Sequence, residues 1–256
     1  MTQKERLIFL NKELLSERPD ARRFVLSESE SDLFRLLRSL MNVREAAPLS
    51  EEFLAVQDAY LKAETAKKGI VDISEMTEVK PDIYLWQGDI TRLKVGAIVN
   101  AANSGMTGCY YPCHGCIDNV IHTYAGVQLR LVCDEIMKQQ GYPEPTGKAK
   151  ITDAFNLPCE KVIHTVGPIV SGRLTEEHCQ LLKSCYVSCL EAADKAELSS
   201  IAFCCISTGE FHFPNEAAAH IAIDTVSRYK AETGSRIKVI FNVFKDVDLE
   251  IYKGLL

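Results

Sequence analysis

Between residues 108 and 122 the chain reads GCYYPCHGCIDNVIH, with three cysteines and two histidines. Thiols and imidazoles at this density can form a redox pair, brace a fold around a metal, or hold a metal that takes part in chemistry. Cys113 and Cys116 have the C-x-x-C spacing of a redox pair, but such a pair belongs near the start of its domain, after few elements. A closed structural zinc site needs four ligands. Drawing them from Cys109, Cys113, His114 and Cys116 would make the neighbours Cys113 and His114 converge on one ion. Cys109, His114 and Cys116 alone spell C-x4-H-x-C, in which the alternate residues His114 and Cys116 can face one way while the longer loop returns Cys109. Two thiolates and one imidazole suit zinc by softness and leave a position for water or a substrate hydroxyl. The bland alternative is an unmetallated loop punctuated by glycine.

The elements around this loop must position it. The first eighty residues predict helices: Thr2 with Glu5, and Ser27 with Glu30, have capping-box spacing, and the second box opens SDLFRLLRSLMNV, where Leu33, Leu36, Leu37, Leu40 and Met41 recur with helical period. Ser50 and two glutamates open a third helix, EEFLAVQDAYLKAETAKK, whose lysines precede Gly69 in the charge order a helix dipole favours. Their apolar stripes need a partner, so residues 1–80 form a helical extension packed on the rest of the chain. From residue 81 to 256, the short β-rich runs DIYLWQ, GAIVN, AKITDAF, KVIHTVG, SIAFCCIS and IKVIFNVF are interspersed with helical stretches at 117–140, 176–197 and 215–234. This order predicts a three-layer α/β domain with a mixed, mostly parallel sheet.

Hydrophobic residues make up 46% of the 256, enough for a buried core. Lysine and arginine total 29 against 35 acidic residues, a net charge of -6 that argues against a nucleic-acid surface while leaving room for a small phosphorylated ligand. The charged amphipathic start carries no signal-peptide core, so a reducing cytoplasm is expected. There the cysteines at 133, 159, 179, 185, 189, 204 and 205 read as small buried hydrophobes. No apolar run approaches the roughly 20 residues that would span a bilayer, so no membrane partner is expected.

Ligands of such sheets gather at the carboxyl ends of strands. The loops in those places, GDIT, NAANSGMTGCYYPCHGC, STGEFHFP and FKDVD, are rich in groups that can contact a polar ligand. QGDIT (87–91), AIVNAAN (97–103), TGKAKITDAFNLPCEKVIHTVGP (146–168) and ISTGEFHFP (206–214), in this order, resemble the macrodomain family, whose members bind ADP-ribose. CIDNVIHTYAG (116–126) is similar to the helix that carries a catalytic aspartate in MacroD-type hydrolases. Where those enzymes have a glycine-rich loop, this chain has GCYYPCHGC. That replacement resembles the zinc-dependent macrodomains of microbial sirtuin-linked ADP-ribosylation systems, which also carry an N-terminal helical extension.

The resemblance implies a three-layer macrodomain fold and a zinc ion held by Cys109, His114 and Cys116, with Cys113 a spectator. It implies that Asp89 accepts from the adenine amino group beside an Ile90 backbone donor, although a carboxylate before a helix can equally be an N-cap. Ser207, Thr208, Gly209, Glu210 and Phe211 match the loop whose amides cradle the pyrophosphate, and Phe244 matches the aromatic on adenine. The Glu210 carboxylate is expected to point away from the phosphates, toward the distal ribose or the zinc loop. Asn103 and Asp118 match the catalytic positions, and Cys116 and Ile117 adjoin the ligand. Asn103 would fix the ribose hydroxyls; Asp118 would take the water proton or order the zinc shell. Asn100 is expected to hold loop backbone.

The expected activity is zinc-dependent removal of mono-ADP-ribose from modified proteins, by cleavage between distal ribose C1″ and the acceptor side chain. On the same resemblance, the modified protein is a lipoyl-carrier protein served by a sirtuin-class transferase. The rival is a non-catalytic reader of ADP-ribose with a loop-bracing zinc.

Overall fold

The structure, a computed structural model, describes residues 1–256. Three helices come first: α1 (Gln3–Ser16), α2 (Glu30–Val43) and α3 (Glu51–Lys68). Thr2 and Glu5 form the expected capping box on α1, and Ser50 caps α3 through the Phe53 amide. The start of α2 differs from expectation. Ser29, not Ser27, has the extended backbone of a cap and accepts from the Asp32 amide, while the Ser27 hydroxyl accepts from the Ser29 amide one step outside the helix. The apolar stripes of the three helices, including Leu7, Leu10, Leu33, Leu37, Phe53 and Leu61, are fully buried and continuous with the main core.

The strands are β1 (Val71–Asp72), β2 (Glu78–Lys80), β3 (Ile83–Gln87), β4 (Leu93–Lys94), β5 (Ala97–Ala102), β6 (Ala149–Asp153), β7 (Lys161–Val166), β8 (Ser200–Phe203) and β9 (Lys238–Val243). Seven form one sheet in the order β2-β3-β9-β8-β5-β7-β6. The five inner strands run parallel, and β2 and β6 are antiparallel edges. β1 and β4 pair separately. The apolar runs of β5, β8 and β9 are buried on both faces, as parallel strands between helical layers must be.

The remaining helices are α4 (Ile117–Ala125), α5 (Val127–Gln140), α6 (Glu176–Lys195), α7 (Asn215–Thr233) and α8 (Asp246–Leu255). The stretch expected as one helix over 117–140 breaks at Gly126, whose φ of +97° and close approach to the Gln57 and Asn156 amides suit only glycine. FKDVD, expected as a loop, leads into α8 with Asp246 and Asp248 in its first turn. No helix is long and apolar enough to cross a membrane.

Candidate active site

The site lies where β5 ends and α4 begins. Residues 103–116 cross the carboxyl edge of the sheet without regular structure and turn at Met106, Gly108 and Cys113, all with positive φ. Gly108 is required on two counts: its φ is +86°, and a Cβ there would lie 2.8 Å from the His122 ring. The turns bring one ligand atom each from Cys109, His114 and Cys116 within 4.8 Å of one another. Cys109 Sγ lies 3.7 Å from His114 Nδ1. Cys113 is outside the cluster: its thiol donates to the Arg35 carbonyl and its amide to Asn42 Oδ1.

Cys116 is the N-cap of α4, and its sulfur accepts from the Asn119 amide. Burial nevertheless pushes its thiol up to about 12, with Cys109 and Asp118 adding to the rise against that amide. The Cys116 thiol, buried beside a carboxylate, ionises readily only if a cation joins it. On the other side of the imidazole, Glu210 Oε1 is 3.7 Å from His114 Nε2, so this exposed carboxylate points to the cysteine loop, one of the two directions expected for it.

Asp118, in the first turn of α4, is 4% exposed. Asn100 donates to its Oδ1 at 2.8 Å and Asn103 to its Oδ2 at 3.3 Å. Burial raises its carboxyl to about 6, against the Asn100 bond and the Arg130 charge, so it is ionised at neutral pH. Asn103 also donates to the Gly108 carbonyl and accepts from the Gly105 amide, which ties the end of β5 to the cysteine loop. Asn100 corrects the expectation made for it: it faces Asp118 and its cross-strand partner His164, 3.1 Å away, rather than loop backbone. His122, Cys133 and His164 form a second cluster of potential ligands behind the first. Both His164 nitrogens there are already engaged, by Asn100 and by Thr152.

The other residues singled out in the sequence occupy neighbouring strand ends. Asp89 caps the short turn Ile90–Arg92, accepting from the Thr91 amide and hydroxyl, and it also accepts from Lys68 on α3. Burial opposes its ionisation, but Thr91 and Lys68 outweigh it and hold the carboxyl below its ordinary range. Phe244, 75% exposed, follows β9 beside Asp89, since the Gly88 amide donates to the Val243 carbonyl. Ser207 to Phe211 loop between β8 and α7, with Ser207 at φ +66° and open space around Gly209. Of the site's supporting residues, Arg38, Asn119, Lys68 and Arg130 were not legible, because nothing in a helical sequence distinguishes a polar residue aimed at a distant loop from one in solvent.

The model of the Macro domain family matches residues 99–222, spanning this loop and the loop of Ser207 to Phe211. A protein from Treponema medium named protein-ADP-ribose hydrolase is 55% identical, with all of both chains covered. The chain belongs to the macrodomain family. A Staphylococcus aureus macrodomain relative, also named protein-ADP-ribose hydrolase, is 51% identical over 98% of this chain and 94% of its own. The Trypanosoma brucei macrodomain, solved in complex with ADP-ribose, has 28% identity and a TM-score of 0.66, covering 90% of this macrodomain chain and 97% of its own.

Proposed function

We propose that this enzyme, a protein-ADP-ribose hydrolase, acts with a zinc ion held by Cys109, His114 and Cys116 and cleaves between C1″ of the distal ribose and the acceptor side chain. The observation that carries the reading is the convergence of those three residues beside Asn103 and Asp118 at the carboxyl end of β5. Tetrahedral zinc bonds of about 2.3 Å to sulfur and about 2.0 to 2.1 Å to nitrogen separate the two donors by about 3.6 Å. The 3.7 Å between Cys109 Sγ and His114 Nδ1 fits that edge. Zinc bound there would supply Lewis acidity at the distal-ribose end of the ligand.

The chain's own residues do the rest. Asp89 and Ile90 receive adenine, Phe244 covers it, and the amides of Ser207 to Phe211 take the pyrophosphate. Neutral amides bind phosphate without a basic surface, which reconciles an anionic ligand with a net charge of -6. The distal ribose then reaches Asn103, Cys116 and Ile117. Water adds its hydroxyl to C1″ and its proton to the departing acceptor. Asn103 orients the ribose hydroxyls, and Asp118, with both oxygens held, orders Asn103; its burial favours this role over taking the proton itself.

On the family resemblance, the substrate is a mono-ADP-ribosylated lipoyl-carrier protein modified by a sirtuin-class transferase, in the cytoplasm. The test is release of free ADP-ribose from mono-ADP-ribosylated protein by zinc-replete, chelated and zinc-restored enzyme. Release lost on chelation and regained with zinc is expected. Retained ADP-ribose binding with no release from aspartate-, glutamate- or serine-linked substrates would instead identify a reader.

A further inference from the structure

All three donors sit on a loop with no secondary structure of its own, and an unassisted loop of this length would have to be ordered by the ion at the expense of binding. The structure supplies an ordering element from elsewhere. Asn119, fully buried on α4, donates through Nδ2 to the carbonyls of Tyr111 at 2.9 Å and Cys109 at 3.3 Å. Its Oδ1 accepts from Arg38 Nη2 at 2.8 Å and Nε at 3.2 Å, and the same Nη2 donates to the His114 carbonyl at 2.6 Å. The carbonyls of two donor residues and of the tyrosine between them thus converge on one arginine–asparagine pair. The third donor, Cys116, accepts from the Asn119 amide.

Arg38 lies on α2, in the helical extension. One helical turn on, Asn42 accepts from the Cys113 amide through Oδ1 and donates to Thr123 through Nδ2, so the same face of α2 holds the loop at a second point. Returning the contact, Arg130 of α5 bonds the Thr107 carbonyl at the loop's start and the carbonyls of Met41 and Asn42 at the end of α2. The fork of a guanidinium is the only cationic side chain that reaches an amide oxygen through two nitrogens and a carbonyl at once; a lysine ammonium is a point donor.

We propose that Arg38 and Asn119 are positioning residues for the cysteine–histidine site, and that the helical extension is part of that site rather than an appendage. The proposal rests on the zinc reading above, and it extends it by saying what sets the loop's geometry before an ion arrives.

The test uses the full chain with Arg38→Ala, Arg38→Lys and, as control on the exposed side of α2, Arg35→Ala. Zinc affinity is read by competition with a chromophoric chelator, and amide hydrogen exchange of residues 109–116 is read in the metal-free protein. Arg38→Ala is expected to weaken zinc roughly 10- to 100-fold, in the range for outer-shell partners. It is also expected to speed loop exchange, with ADP-ribose affinity of the metal-free protein within about twofold of the parent. Arg38→Lys should recover part of the loss and Arg35→Ala should lose nothing. If Arg38→Ala does not fold, Arg38→Lys carries the same comparison. Zinc affinity and loop exchange both equal to the parent's would overturn the proposal. A parent chain that binds no zinc would sink the zinc reading alone; the positioning role then stands if loop exchange accelerates in Arg38→Ala and falls if it does not.

Discussion

Lys68, in the last turn of α3, donates to Asp89 Oδ2 at 3.0 Å while its ammonium lies 3.6 Å from the centroid of the Tyr124 ring. The helical extension therefore touches the site at both ends, through Arg38 at the cysteine loop and through Lys68 at the carboxylate assigned to adenine. With Thr91 on Oδ1 and Lys68 on Oδ2, the Asp89 carboxylate has one orientation. The pair is partly exposed, so its worth is no more than about 1 kcal/mol. Lys68→Met is expected to weaken ADP-ribose binding about two- to fivefold by calorimetry, with zinc affinity unchanged. An unchanged dissociation constant would show that Thr91 alone orients the carboxylate.

Phe244 is an aromatic ring with 75% of its surface exposed, in the residue just past the end of β9. A ring so placed adds little to the fold, whereas stacking on a base is worth about 1–3 kcal/mol. Phe244→Ala should leave the melting temperature within about 1 °C and weaken ADP-ribose roughly tenfold or more. A melting temperature that falls while affinity holds would assign the ring to packing instead.

Gly108 tests the loop itself. Alanine there must hold φ near +86° and meet the His122 ring at 2.8 Å. Both effects displace the residue just before Cys109, at a cost of about 1–3 kcal/mol. Gly108→Ala is expected to lower the denaturant midpoint and to weaken zinc, with binding of ADP-ribose retained. Full zinc affinity in this variant would mean that the loop's turns do not set the donors.

The strand runs and their alternation with helices were legible because parallel strands buried on both faces are apolar at consecutive positions, as Ile98, Val99, Ile201 and Ala202 are. Cys109, His114 and Cys116 were legible because all three lie within eight residues, so that spacing alone constrains how they meet. The break at Gly126 was less so, since α4 and α5 keep an apolar pattern on either side of it. What pairs across the fold was hidden. Asn100 meets His164 only through the β5–β7 register, and Arg38 meets Asn119 across 81 positions of sequence. A side chain's partner at such range is fixed by tertiary packing, not by its neighbours in the chain.

The buried histidines give the fold a pH dependence. Burial lowers the His164 imidazole from 6.5 to about 4, and burial, with His164 and Arg130 nearby, holds His122 well below its ordinary value. Between those limits the unfolded chain takes up protons that the folded chain refuses, so stability is lost as the pH falls from 6.5 toward 4. Asp118 works in the opposite sense, because its folded carboxyl at about 6 takes a proton before the unfolded one at 3.8. Two depressed imidazoles outweigh one raised carboxyl, so the net effect of acidification is a loss of stability. The urea midpoint of the parent chain is therefore expected to drop between pH 7 and 5, and His164→Gln, which carries no titrating group, should drop less. Equal slopes in the two proteins would mean that His164 takes up its proton in the folded chain as readily as in the unfolded one.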